Sequence, residues 1–356
     1  MRRHTVGLGP VVKSALGGQI FGWDMNENGN DGVLTESENT RRDSALSAVE
    51  TFDQTTGKIT KIVAKQHSVT GNHELVVGGI VANDVGLIDD ERDSNHGRND
   101  IFHLMAPVSG GKFTGRWNPP IDHNLLYESI ADQQSDPMVA VLVYLNYAGG
   151  GPEVLVSDVA QDTFKFTLQF PRDQIFSGLW LIAQDTTTHR AYVPTLTYDG
   201  SAKFDVFDLL SGKVSTFKGV NEETGAVLGI AIDSTTDTMC TTSNDNYSVQ
   251  FYNLKTHKGV SVPLPGAGGQ LQDGASVAAD PLNHLFLVTQ PLSSVSPSGG
   301  STIFVYDENG TLVETINGFE FSNVDAAVFE SVHVNATQRT GYVNGPRANE
   351  LQEFTY

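Results

Sequence analysis

The 356-residue chain holds one cysteine, Cys240, so an internal disulfide and a cysteine-rich metal site are both excluded. That cysteine lies in Asp237-Thr-Met-Cys-Thr-Thr242, which reads as a strand, and a small buried apolar side chain fits there better than a nucleophile. Basic residues are scarce: 22 Lys and Arg stand against 42 Asp and Glu, a formal charge of −20. This balance argues against nucleic acid or anionic lipid as a partner held by long-range attraction. No stretch approaches the roughly eighteen apolar residues of a membrane-spanning helix. The longest apolar-rich run, Met138 to Leu145, is only strand-sized. Chemical fingerprints are missing too. There is no Gly-x-Ser-x-Gly elbow, His-Glu-x-x-His pair, phosphate loop or dinucleotide fingerprint, which disfavours serine-esterase, zincin, nucleotide-triphosphate and nicotinamide chemistry.

The first ten residues are basic but lack the apolar segment of a secretory signal, so a chain kept inside the cell or one whose signal has been removed is expected. Few lysines, abundant Gly, Asn, Ser and Thr, and three acceptor sequons at Asn246, Asn309 and Asn335 tilt the expectation toward an exported, extracellular, monomeric protein.

What the chain does have is a repeat. From Ala275 it reads Ala-Ser-Val-Ala-Ala-Asp-Pro-Leu-Asn-His, then Leu-Phe-Leu-Val-Thr, and later Ser-Thr-Ile-Phe-Val-Tyr-Asp-Glu-Asn-Gly followed by Thr-Leu-Val-Glu-Thr-Ile. Each piece is a β-branched or aromatic run cut by a turn cluster, giving four strands, a to d, of one propeller blade. The c–d hairpin recurs at Ala48–Val63, Ile101–Trp117, Glu153–Leu168, Lys203–Phe217 and Val249–Val262. Its turn-opening positions, Asp53, Ala106, Asp158, Asp208, Asn253 and Asp307, are 45 to 54 residues apart, within the range of propeller repeats. The chain ends in a c strand, Glu350–Tyr356, with no d strand after it, while Thr5–Lys13 is a strand-like run before the first a strand. Pairing the two removes both free edges.

The expected fold is therefore an all-β, seven-bladed β-propeller of four-stranded antiparallel blades, its ring closed by the N-terminal strand pairing in the last blade. A single domain is expected, with blades at about 18–66, 73–118, 127–170, 177–219, 226–264, 274–318 and 325–356, the last completed by 5–13. The unit resembles the YVTN-type and lactonase-like propellers, most closely at Val277–Ile316 and Ala48–Val63. The Trp23-Asp24 pair falls on the first a strand, away from the c-strand end where a Trp-Asp repeat would place it.

In such a fold the b–c and d–a connections share one face, and here they are long and polar, including Glu36–Ser44, Asp89–Asp100 and Gln290–Gly300. Long loops on a rigid scaffold are where function concentrates. Residues opening an a strand lie nearest the axis, which singles out His73, Glu128, Asp273 and Asp325, with Arg41, Arg42, Arg92, Arg98, His96, His123 and Arg347 farther out. A His can shuttle a proton at neutral pH, a carboxylate can orient it, and Arg can clamp a carboxylate or oxyanion. Catalytic roles are assigned to His73, Asp273, His123 and Arg92, and substrate contacts to Arg41, His96, Arg347, Glu128, Asp325 and Trp117. His103, His189, His257, His284 and His333 fall on strands or the opposite turns and are read as structural.

A second constellation, Asp24, Asn26, Asn28 and Asn30 with Gly29, matches the start of a calcium loop, although Thr35 stands where the bidentate Glu belongs. Bound Ca2+ would be structural there; the competing reading is an Asn/Gly-rich turn. Ile88-Asp-Asp-Glu-Arg-Asp93 packs four carboxylates and is read as a charged loop. Three functions stay open. The resemblance to lactonase-like propellers implies a hydrolase or lyase acting on a small polar or carbohydrate-derived substrate, and leads. A non-catalytic ligand- or glycan-binding propeller and a protein-interaction scaffold are the alternatives.

Overall fold

Turns led by Asp or Asn cut the chain into short strands, and the cuts recur with the repeat. The computed structural model describes residues 6–26, 29–41, 44–68, 74–81, 85–91, 101–117, 124–132, 139–146, 151–158, 163–169, 174–176, 182–197, 202–218, 227–243, 247–265, 271–273, 276–290, 292–293, 302–319, 332–344 and 349–356. β1 (Gly7–Lys13) comes first. Blade 1 is β2 (Gln19–Met25), β3 (Asp31–Arg41), β4 (Ser44–Asp53) and β5 (Lys58–Ser68). Blade 2 is β6 (Glu74–Val81), β7 (Val85–Glu91), β8 (Ile101–Met105) and β9 (Phe113–Trp117). Blade 3 is β10 (Asn124–Asp132), β11 (Val139–Asn146), β12 (Gly151–Asp158) and β13 (Thr163–Gln169).

Blade 4 has a divided inner strand. β14 (Gln174–Phe176) and β15 (Ala183–Asp185) both pair with β16 (Arg190–Thr197), followed by β17 (Ala202–Asp208) and β18 (Val214–Lys218). Blade 5 is β19 (Val227–Asp233), β20 (Thr238–Ser243), β21 (Ser248–Asn253) and β22 (Lys258–Pro263). Interleaved with blade 6 is a two-stranded ribbon, β23 (Leu271–Asp273) with β26 (Leu292–Ser293). The blade itself is β24 (Val277–Asp280), β25 (Leu285–Thr289), β27 (Thr302–Asp307) and β28 (Leu312–Asn317). Blade 7 is β29 (Val332–Asn335), β30 (Thr340–Asn344) and β31 (Glu350–Thr355), with β1 as its fourth strand. Gly9 O accepts a bond from Gln352 Nε2 at 2.9 Å, and Gly7 O one from Thr355 Oγ1 at 3.3 Å. Seven antiparallel meanders, the last completed by the N-terminal strand, make the all-β propeller that the repeat predicts.

Packing divides the chain into two units, residues 10–170 and residues 1–9 with 171–356. In the first, Val33 and Val49 of blade 1 pack with Ile88, Met105 and Val108 of blade 2. In the second, apolar layers join blade 4 to 5, 5 to 6 and 6 to 7, centred on Tyr192 and Met239, on Phe251 and Phe286, and on Val305 and Phe354. A strand between two others within a blade, and between two blades, is covered on both faces. All six residues of β20 are buried, whereas β22, outermost in the same blade, is almost wholly exposed.

Eight turns share one construction. An Asp or Asn closes the strand, and its side-chain oxygen accepts backbone N–H groups two or three residues on. Asp233 Oδ1 takes Thr235 N at 2.8 Å, Asp280 Oδ1 takes Leu282 N and Asn283 N at 3.1 Å, and Asp53 Oδ1 takes Thr56 N at 2.7 Å. The Ser211 N–H bonded to Asp208 holds that carboxyl below its ordinary value. Each turn then ends on a left-handed residue. In the a–b turns these are His189, Asp237, His284 and Arg339, all with φ between 53° and 55°; in the c–d turns they are Gly57, Gly212, His257 and Gly310.

Two stretches expected as loops are strand. Glu36–Arg41 is strand up to a hairpin tip, because β3 and β4 keep pairing through Asn39↔Ala45 and Arg41↔Ser44, and β5 follows them to Ser68. Pairing with β4 satisfies backbone groups there whatever the polarity of the side chains. Glu36 is 1% exposed, and its carboxylate accepts Leu16 N and Gly18 N, each at 2.9 Å. Of the acidic run, Asp89, Asp90 and Glu91 lie in β7, opposite Val76, Leu75 and Glu74.

Candidate functional site

The inner strands carry a repeated irregularity. β2, β6, β10 and β19 each have a bulge, where the pairing skips one residue. The residue resuming the ladder is Gly22, Gly79 and Gly229 in blades 1, 2 and 5. In blade 3 it is Glu128, opposite Val143. A carboxylate-bearing residue thus stands where three other blades have no side chain.

The remaining sequence-derived residues separate. His73, Arg92, His96, His123, Asp325, Arg347 and Asn28 lie outside the described residues. Arg41 is the last residue of β3, at the tip of the blade 1 hairpin. Trp117 ends β9 opposite Phe102. Asp273 sits four residues before β24, in the ribbon and opposite Leu292, so it does not open the a strand. Of those described, Arg41, Trp117 and Glu128 belong to the unit of residues 10–170, and Asp273 to the other.

The a–b turn of blade 1 holds Asp24, Asn26 and Asn30 in a loop closed from within the protein. Gln54, the first residue of the c–d turn, donates its backbone N–H to Asn30 O at 2.7 Å. Its side-chain Nε2 donates to Asn26 O at 2.9 Å and Asp31 O at 2.7 Å. Gln54 is 2% exposed, so one buried amide satisfies two carbonyls of the kind a central cation would otherwise gather.

The histidines of the turn face are tied into the scaffold. His284 Nδ1 lies 3.1 Å from Asp233 Oδ2 and 3.2 Å from Thr235 Oγ1, joining the a–b turns of blades 5 and 6. Thr235 donates to Asp233 Oδ1 at 2.6 Å, and Asp233 is fully buried. His257 Nδ1 lies 3.1 Å from Tyr252 Oη. Similar links continue along this face: Thr186 N donates to Ser234 Oγ at 2.9 Å, and Tyr356 Oη donates to Asp280 Oδ2 at 3.0 Å. Composition-led reasoning does not find this network. Its signal is the spacing of four in Asp185/His189, Asp233/Asp237, Asp280/His284 and Asn335/Arg339.

A different feature occupies the outermost strands. Val260 on β22, Leu312 and Val313 on β28, and Leu8 on β1 are 40%, 43%, 53% and 42% exposed. They lie on the outermost strands of blades 5, 6 and 7, at either end of β28. A Cβ on Gly310, two residues before Leu312, would lie 3.3 Å from Val260 Cγ1, and one on Gly318, just past β28, 3.7 Å from Leu8 Cδ1. Val313 is the extra residue of a bulge, between Leu312 opposite Tyr306 and Glu314 opposite Val305. Among the described residues, no three His, Cys, Asp or Glu side chains gather as a metal would need.

No protein-family model and no curated protein matches the chain. Solved structures do. The β-propeller domain of Cps50 (Swd1) from Myceliophteria thermophila is similar at TM-score 0.62 and 9% identity, over 99% of this chain and 100% of that one. A chain from the structure of a mitotic checkpoint complex is similar at TM-score 0.63 and 12% identity, over 100% of this chain and 94% of that one. At these identities the likeness carries the fold. It supports a β-propeller without the YVTN or lactonase-like type.

Proposed function

We propose that this chain is a protein-interaction propeller that holds a partner along the outer strands of blades 5, 6 and 7. The observation behind the reading is the set Val260, Leu312, Val313 and Leu8, each more than a third exposed on the outermost strands of three successive blades. Single exposed apolar side chains are ordinary; several on the outer strands of neighbouring blades offer apolar area to a partner. A partner with an apolar centre and a basic rim suits a chain of formal charge −20. The checkpoint-complex neighbour, itself solved within an assembly, supports the same direction. The composition supports export as part of this reading.

The test is affinity capture with the wild-type chain and with Leu312→Lys/Val313→Lys. Both sites are exposed edge positions, where substitution changes stability by no more than about 0.5 kcal/mol. Proteins held by the wild type should drop at least about tenfold in the variant, equivalent to about 1.4 kcal/mol of binding. Identical retained sets would overturn the reading.

Glu128 favours a second reading, a small-molecule or carbohydrate site on the long-loop face, with lactonase-like hydrolase or lyase chemistry. There Glu128, His73, His123 and Arg92 would be the reactive groups, with Arg41, His96 and Trp117 holding substrate. Its support is the replacement of glycine by Glu128 at the inner-strand bulge. Turnover of a panel of sugar lactones, lost in Glu128→Gln, would establish it. No turnover by the wild type would remove it.

A further inference from the structure

We propose that Asn309 is an N-glycan acceptor, a reading that rests on the exported location proposed above but not on the docking row. Two of the three sequons are described, and the fold separates them. Asn309-Gly310-Thr311 forms the c–d turn of blade 6, and Asn309 is exposed. Its turn is made without its side-chain amide: Asp307 Oδ1 accepts Asn309 N at 2.9 Å and Thr311 N at 2.8 Å, and Gly310 N donates to Asp307 O at 3.1 Å. Gly310 takes φ +81°, so the chain folds back behind Asn309 and leaves its side chain on the outside of the bend. The amide Nδ2 donates a long 3.3 Å bond to Glu308 Oε1 on the same turn. A glycan there replaces that contact and needs no unfolding.

Asn335-Ala336-Thr337 is the same motif in an opposite setting. Asn335 is 1% exposed, and its side-chain oxygen accepts Gln338 N at 3.1 Å to cap the a–b turn of blade 7. A bulky glycan on that side chain is incompatible with the folded blade.

The transfer joins Asn309 Nδ2 to C1 of an oligosaccharide carried on a lipid pyrophosphate. The C1–O bond to the pyrophosphate breaks, the lipid pyrophosphate leaves with the electron pair, and the amide loses one proton. No oxidant or reductant is required. Thr311 supplies the hydroxyl that defines the acceptor motif.

The experiment is secretion of the full chain from a eukaryotic host behind a cleavable signal, with peptide mapping before and after N-glycosidase. Because an added signal supplies the route, a failure of natural export cannot mimic a failure of the acceptor. Natural export is read separately, from the glycan on the protein in its native source. The peptide containing Asn309 should be glycosylated and gain the one-dalton mark of Asn-to-Asp conversion on release. Asn309→Gln and Thr311→Ala should each lose one glycan, Thr311→Ser should keep it, and Asn335→Gln should match the wild type. Circular dichroism checks that the variants remain folded. A bare Asn309 peptide in the secreted wild type, or a glycan on folded Asn335, would overturn the proposal.

Discussion

Tyr306 and Glu353 are two buried residues whose environments work against their polar groups. Tyr306 is 2% exposed in the apolar layer between blades 5 and 6, and its hydroxyl has no hydrogen-bond partner among the described residues. Burial pushes its pKa up to about 12. A buried hydroxyl without a partner costs free energy that the ring alone does not. Tyr306→Phe should therefore leave stability unchanged or raise it by up to about 1 kcal/mol, measured by denaturant unfolding. A loss above about 1.5 kcal/mol would point to a partner for the hydroxyl.

Glu353, on β31, is 8% exposed and lies flat on β1, where a Cβ at Gly9 would collide with its carboxylate. Burial raises its pKa from 4.5 to about 7. The folded state therefore binds this proton more tightly than the unfolded one. Its contribution is full below about pH 4.5, falls as pH rises, and is gone above about pH 7. Glu353→Gln should flatten the fall in melting temperature over that window, and an unchanged slope would assign the pH dependence elsewhere.

At the scale of the element, the a–b turn of blade 1 depends on Gln54. Gln54→Ala leaves Asn26 O and Asp31 O without their side-chain donor and should cost about 1–3 kcal/mol. Calcium at Asp24, Asn26, Asn28 and Asn30 is a proposal with its own readout. If the loop binds Ca2+, millimolar calcium raises the melting temperature and chelation lowers it, most clearly in Gln54→Ala. Melting curves unmoved by either would leave the turn to Gln54 alone.

The strands were legible because two signals coincide at each repeat, a β-branched run and an Asx-led turn, as at Val305-Tyr306-Asp307-Glu-Asn-Gly310. The hairpin tip of blade 1 was not. Glu36–Arg41 is polar, and what makes it strand is pairing with β4, a long-range partner that local composition does not reveal. The same limit applies to Asp273, which ribbon pairing with Leu292 removes from the inner strand. Glu128 was singled out for its position near the start of an a strand. The glycines at the matching bulges, which make it distinctive, emerge only from the register.

For the whole molecule, β1 is the fourth strand of blade 7, and without it β31 becomes an unpaired edge. Such edges invite association with other chains. Deleting residues 1–13 should lower the melting temperature by more than about 10 °C and promote aggregation, since several buried contacts and backbone bonds are lost together. A monomeric deletion variant melting with the wild type would contradict that dependence. The functional claim is also set at this scale, since it needs outer strands from three blades at once. The most direct measurement is a hydrogen-exchange footprint of the chain with a captured partner bound. The account predicts slowed exchange over Lys258–Pro263, Leu312–Asn317 and Gly7–Gly9, with little change elsewhere. Slowed exchange confined to the long-loop connections, with those three strands unchanged, would contradict it.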